Sequence, residues 1–361
     1  MATRKLTLGH LYPDIMSAYG DRGNIVAIMR RCGWRGIVTE ISELRLGDPV
    51  HPDDFDIFII GNGGESQQRL VAPDLADVKG MAIREAVEQG AALLAVGGGY
   101  ELLGRFYQPS KGVELPGVGL FDAWTIQHGA GLSAASAAFT EARADRAIGD
   151  LLVRWEGASP GGHSASPRDE LLVGFENHSA RTYLGPTARA LGQVVVGQGN
   201  NGDGREGVRL GGAVGTYMRG PCLPRNPALA DFLIGTALRR RYGRVELEPL
   251  ADDAERACRD TAVRRITAAA GAGKRPGLHR VGTWLGRVVL PPGSVSTASQ
   301  CLLFVTLCRE ARLPELAPRP AGKEGVPRAR QRRLCEFRAN ALAVNSRPPQ
   351  VQHPGSLLIV C

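Results

Sequence analysis

The segment Leu93-Leu94-Ala95-Val96-Gly97-Gly98-Gly99-Tyr100-Glu101-Leu102-Leu103-Gly104 constrains the fold more than any other part of this chain. An apolar run with the look of a buried strand ends in a tight glycine turn and passes directly into a helix-like stretch. That strand–turn–helix pattern is a nucleophile elbow, a strained turn that lifts one side chain clear of a sheet. The apex here is Gly97, which has no side chain to lift.

Residues 4–250 alternate strand-like and helix-like segments, which predicts an α/β sheet covered by helices. Lys5–His10, Gly36–Ile41, Asp56–Ile60 and Ala91–Val96 read as strands, and Asn24–Arg31 opens a helix behind the loop Tyr19–Gly23. Leu75, Val78, Ala82 and Ala86 keep a helical spacing. From about residue 116 to 217 the text shifts to short strands and glycine turns. Asn226-Pro227 has the form of a helix cap followed by proline at the first position. Arg239-Arg240-Arg241 then complement the negative end of that helix before Gly243.

The net charge of +8 is unevenly spread. Residues 261–361 hold 16 Lys+Arg and 4 Asp+Glu, which leaves 28 and 32 for residues 1–260. A mildly acidic globule therefore carries a strongly basic tail, and the charge does not mark the globule as a nucleic-acid binder. The tail has no Asp beyond Asp260 and accumulates Arg, Pro, Ala and Ser, so low-complexity, disordered sequence is expected there. Ala268–Lys274 lacks the full spacing and the hydroxyl residue of a phosphate loop. The expected division is a domain over 1–250, then a helical end and basic tail over 251–361. The start Met1–Lys5 precedes only a short apolar segment, so no secretory leader is expected. No run reaches the ~18–20 apolar residues that span a bilayer. The seven cysteines form no CxxC pair and no metal-type spacing, which predicts reduced thiols in a cytoplasmic protein without a metal or other cofactor.

Five strings occur in order: Leu11–Met16, Tyr19–Asn24, Gly174–Tyr183, Gly199–Gly202 and Gly215–Pro224. Together with the elbow they resemble the glutaminase (GatD-type) subunits of lipid II isoglutaminyl synthase, cobyric-acid-synthase-like class I glutamine amidotransferases. The resemblance implies a flavodoxin-like α/β domain that hydrolyses glutamine. The ammonia would pass to a Mur-ligase-like (MurT-type) ATP-dependent partner in a heterodimer. That partner would amidate the D-glutamate of the lipid II stem peptide, which implies a cytoplasmic location with peripheral contact at the inner membrane face. The chemistry needs a thiolate, a histidine to shuttle the proton, and backbone N–H donors for the oxyanion.

The chain departs from that pattern at both reacting positions. Gly97 stands where the resemblance implies cysteine, and Arg219 where it implies histidine. A guanidinium stays protonated and donates hydrogen bonds but takes no proton. The oxyanion-side loop, of a Gly-Gly-Gly-x-Asp-Arg-Glu-Gln type in the family, reads Gly61-Asn62-Gly63-Gly64-Glu65-Ser66-Gln67-Gln68. Gly63 and Gly64 retain N–H groups for an oxyanion. Arg146, in Asp145-Arg146-Ala147-Ile148-Gly149-Asp150, matches the arginine that clamps the glutamine carboxylate.

Loss of the nucleophile or base of such a unit costs about 10⁶-fold in turnover in a serine protease. The expectation is a hydrolytically impaired chain. The alternatives are a non-catalytic scaffold for the partner ligase or a decayed gene product. Cys222 is the nearest thiol to Arg219 in sequence, but its place after a Gly-Pro turn does not put it at the elbow. His178 reads equally as a buried, hydrogen-bonded histidine and as a site residue.

Overall fold

The computed structural model describes residues 4–127, 146–156, 171–243 and 246–271. The tail beyond 271, with four of the seven cysteines, and residues 128–145 lie outside the described residues, so the expectation of a disordered tail does too.

The strands in chain order are β1 Lys5–Leu11, β2 Val38–Leu44, β3 Ile57–Ile60, β4 Ala92–Val96, β5 Phe106–Gln108, β6 Leu115–Pro116 and β7 Ala123–Gln127. They continue with β8 Ala147–Trp155, β9 Leu171–His178, β10 Ala180–Leu184, β11 Gly192–Val196, β12 Arg205–Glu206, β13 Val208–Leu210 and β14 Ala213–Thr216. The helices are α1 Arg22–Trp34, α2 Glu65–Asp74, α3 Gly80–Glu88, α4 Gly98–Leu102, α5 Pro227–Tyr242 and α6 Asp253–Gly271.

A six-stranded sheet in the order β13-β14-β4-β3-β1-β2 forms the centre, parallel except at β13. Every residue of β3 and β4 is buried, as expected of central strands covered by helices on both faces. The edge strand β2 is mostly exposed and carries Glu40 and Glu43, charges that discourage pairing with another chain. The apolar residues split by face. Phe58, Ile60, Leu93 and Ala95 pack on one side with α3, while Ile57, Ile59, Leu94 and Val96 pack on the other with α1 and α5.

Two four-stranded sheets, β10-β7-β5-β6 and β12-β11-β8-β9, account for the short strands between residues 106 and 206. Helix α6 joins the second of these through Ile266, which packs with Leu152, Val173 and Val196.

The expected helical spacing at Leu75, Val78, Ala82 and Ala86 is broken. Pro73 withholds its N–H from α2, and Leu75–Lys79 wind as a π turn before α3. The extra residue in that turn rotates the register, so Val78 is exposed and Lys79 is buried. Lys79 pairs with Asp74 and lies over the ring of Tyr12, 5.1 Å from its centroid.

The helix at Asn226-Pro227 is present, but Asn226 does not cap it with its side chain. Its Oδ1 accepts from the N–H of Val173 at 2.8 Å, and its Nδ2 donates to the carbonyls of Val173 and Cys222. A buried carboxamide tied to β9 on both sides is worth more to the fold than one helix N–H.

Candidate functional site

Parallel strands β3, β4 and β14 end side by side, and the loops that follow them build one site at the carboxyl edge of the sheet. Pairing of Ile60 with Ala95 and of Val96 with Thr216 sets the register, so the glycine loop after β3, the turn after β4 and the segment Tyr217–Arg219 are neighbours. Ligand sites in open α/β sheets lie at this edge.

The turn after β4 is the elbow expected from the sequence. Gly97 has φ 53° and ψ −115°, a conformation that strains any residue with a Cβ, and α4 begins at the next residue. The Gly97 N–H donates to Thr216 O at 2.9 Å, and its carbonyl accepts from Glu101 N at 2.9 Å. Gly99 donates to the carbonyl of Gly61 at 3.2 Å, which seats the helix start directly on the loop after β3.

That loop places Asn62 against the apex. Asn62 is buried, and its N–H donates to Asp21 Oδ2 at 2.7 Å. Its Oδ1 accepts the Gly98 N–H at 2.9 Å. Gly63 packs against Met16, and Gly64 occupies the position before α2, with its carbonyl accepting from Gln68 N at 2.9 Å.

Arg219 is half-buried. Its backbone N–H donates to Phe175 O at 2.8 Å, and its guanidinium lies 5.5 Å from the ring centre of Tyr19, itself at φ 62°. Arg219 Nε finds no acceptor among the described residues. Burial pushes the Asp21 carboxyl up to about 6, and the hydrogen bond from Asn62 and the charge of Arg219 counter part of that rise.

Arg146 precedes β8 and is exposed, with Nε donating to Asn177 Oδ1 at 2.6 Å. Arg146 and Arg219 are therefore both fastened to β9, one through Asn177 and one through Phe175.

Behind the elbow lies a buried polar chain. Tyr217 OH donates to Glu101 Oε1 at 3.1 Å and shares a 2.7 Å hydrogen bond with Thr182, which in turn bonds Thr125. Gln68 donates to the other oxygen of Glu101. His178 belongs here as a buried, hydrogen-bonded histidine. Its Nδ1 lies 2.8 Å from Ala180 O, and its ring stacks on Tyr217 at 3.7 Å.

No reactive thiol lies at the elbow among the described residues. Burial pushes both the Cys32 and the Cys222 thiols up to about 12, which removes the reactive thiolate at neutral pH, and Cys258 lies on α6. The described residues hold no group of three or more His, Cys, Asp or Glu side chains arranged for a metal ion. No described helix is long and apolar enough to cross a membrane.

The residues that sequence reasoning missed are Asn62 and Asp21. Asn62 had a signal, because it interrupts the glycine run that follows β3.

The profile of the CobB/CobQ-like glutamine amidotransferase domain matches residues 7–227 of this chain. The GatD subunit of the glutamine-hydrolysing lipid II isoglutaminyl synthase of Staphylococcus aureus is 32% identical over 252 residues, 70% of this chain and 92% of that protein. The same subunit from Streptococcus pneumoniae is 32% identical over 69% of this chain and 86% of its own length. A cobyric acid synthase of Pelotomaculum thermopropionicum is 33% identical over 44% of this chain and 28% of that protein.

Proposed function

The chain belongs to the CobB/CobQ-like glutamine amidotransferase family, and from that premise we propose that it is the amidotransferase subunit of a lipid II isoglutaminyl synthase, in a form that does not itself hydrolyse glutamine. The two GatD relatives are the corresponding subunits of such synthases, and the match covers 92% and 86% of their length. Its partner on this reading is a Mur-ligase-like, ATP-dependent subunit that holds the lipid-linked substrate.

One observation carries the loss of hydrolysis: the apex of the elbow is Gly97. Glutamine hydrolysis in this family requires a thiolate to attack the carboxamide carbon and a base to take and return the proton. Gly97 offers a hydrogen where the sulfur must be. A guanidinium takes no proton at neutral pH, and that of Arg219 lies over the ring of Tyr19.

A second reading keeps the chain useful without hydrolysis. The fold, with its elbow loop seated and its core filled, can stabilise a ligase partner that draws on free ammonia. Co-expression with a Mur-ligase-like subunit tests the proposal. Amidation of lipid II with ammonium salts but not with glutamine is expected, and equal amidation from glutamine would overturn it.

A further inference from the structure

We propose that Asn62 is the residue that seals this site: its side-chain carboxamide occupies the room of a nucleophile at position 97 and the oxyanion donor beside it. The proposal rests on reading the elbow as a former glutaminase site. Its geometric core is independent of that reading.

The three atoms nearest to a Cβ built on Gly97 all belong to the side chain of Asn62. That Cβ would lie 3.0 Å from Asn62 Cγ and 3.3 Å from Asn62 Cβ, and closer still to Asn62 Oδ1. Real Cβ atoms essentially never come as near as that oxygen, so a side chain at 97 and the present position of Asn62 exclude each other. The backbone of Asn62 is fixed, so only its side-chain torsions can yield, at the cost of the Gly98 hydrogen bond. The residue is 2% exposed, its N–H is held by buried Asp21, and its carbonyl accepts from Ala18 N at 2.9 Å.

The orientation of the carboxamide follows from its partner. The Gly98 N–H needs an acceptor, so the atom facing it at 2.9 Å is the oxygen. An N–H directly after an elbow apex, at the first residue of the following helix, is the donor an oxyanion would use. Here that donor is already filled by an amide oxygen, the same functional group that a glutamine side chain would present. The chain carries its own occupant of that donor. Glycine at 97 relieves the strain of φ 53°, and asparagine at 62 fills the volume released. The two positions work as a pair.

The test is a cycle of Gly97→Cys, Asn62→Gly and the double variant in the full chain. Gly97→Cys alone is expected to lower the thermal midpoint by about 5 °C or more. Adding Asn62→Gly is expected to recover much of that loss, so the two effects are strongly non-additive. Alkylation of the introduced thiol by iodoacetamide, followed by peptide mass spectrometry, forms the S–C bond with release of iodide. It should run at least ~10-fold faster in the double variant than in Gly97→Cys, because only there is the sulfur uncovered. Should Gly97→Cys fail to fold, recovery of a folded protein on adding Asn62→Gly or Asn62→Ala supports the proposal, and no recovery overturns it. Additive midpoints or equal alkylation rates also overturn it. Neither readout uses glutamine, so failure of the functional reading would leave this result standing, and the reverse.

Discussion

The N–H of Gly97 donates to the carbonyl of Thr216 at 2.9 Å, fastening the elbow to the strand that leads into Arg219. Gly97 and Arg219 therefore lie on adjoining segments with a fixed spacing.

Restoring chemistry requires three changes. Gly97→Cys with Arg219→His supplies thiol and base but leaves Asn62 over the sulfur and on the Gly98 N–H. Ammonia release from this double variant is expected to stay at background. Adding Asn62→Gly is expected to raise it by about 10²-fold or more, the scale of an exposed oxyanion donor. If the double variant reaches the rate of the triple, Asn62 is not the obstacle.

Glu206 makes stability fall as pH rises from about 4.5 to about 7. It is fully buried, and one oxygen accepts from Thr216 Oγ1 and Tyr217 N while the other has no partner among the described residues. Burial first, with the charge of Glu176, pushes its carboxyl from an ordinary 4.5 up to about 7. The folded state then holds this proton more tightly than the unfolded chain. The resulting stability is complete below pH 4.5 and is lost as pH rises through about 7. That loss is about 3 kcal/mol. Glu206→Gln, neutral throughout, is expected to flatten this slope in urea melts between pH 5 and 8. Parallel curves for variant and parent would contradict the assignment.

Asn226 joins β9 to the turn before α5 with three buried hydrogen bonds. Asn226→Ala strands the N–H and carbonyl of Val173 and is expected to cost about 2–4 kcal/mol. A loss under 1 kcal/mol, the scale of a helix cap alone, would restore the capping reading.

Arg31 on α1 forks onto Asp231 of α5 at 2.7 Å and onto Asp252 at 2.7 Å and 2.9 Å. Its side chain is 5% exposed. Arg31→Met leaves Asp252 without its guanidinium and is expected to cost about 3 kcal/mol. Adding Asp252→Leu should return part of this, and its failure to do so would show that packing of the arginine stem, not charge, dominates.

How much of this was legible beforehand depended on whether a signal was local. The central strands β3 and β4 announce themselves as short apolar runs ending in glycines, and the elbow is written in Val96-Gly97-Gly98-Gly99. The proposed exchange of side chains at 97 and 219 rests on the neighbouring strings. The register shift at Leu75–Lys79 was not, because periodicity assumes an unbroken α-helix and a π turn adds a residue. Nor was the role of Asn226, whose residue type fits a cap while its partners are Val173, far back in the sequence, and Cys222. Asn62 and Asp21 meet the apex only through the pairing of β3 with β4 and the loop before α1, and that depends on topology.

Whether the site can still act on glutamine is the central question. The decisive measurement is ammonia release from the purified full chain supplied with glutamine, run beside an active relative of the family. Background release is expected, about 10⁶-fold below the relative if the loss matches that of a catalytic unit. A rate within about tenfold of the relative, some 1.4 kcal/mol in barrier, would contradict a site sealed by Asn62 and empty at Gly97.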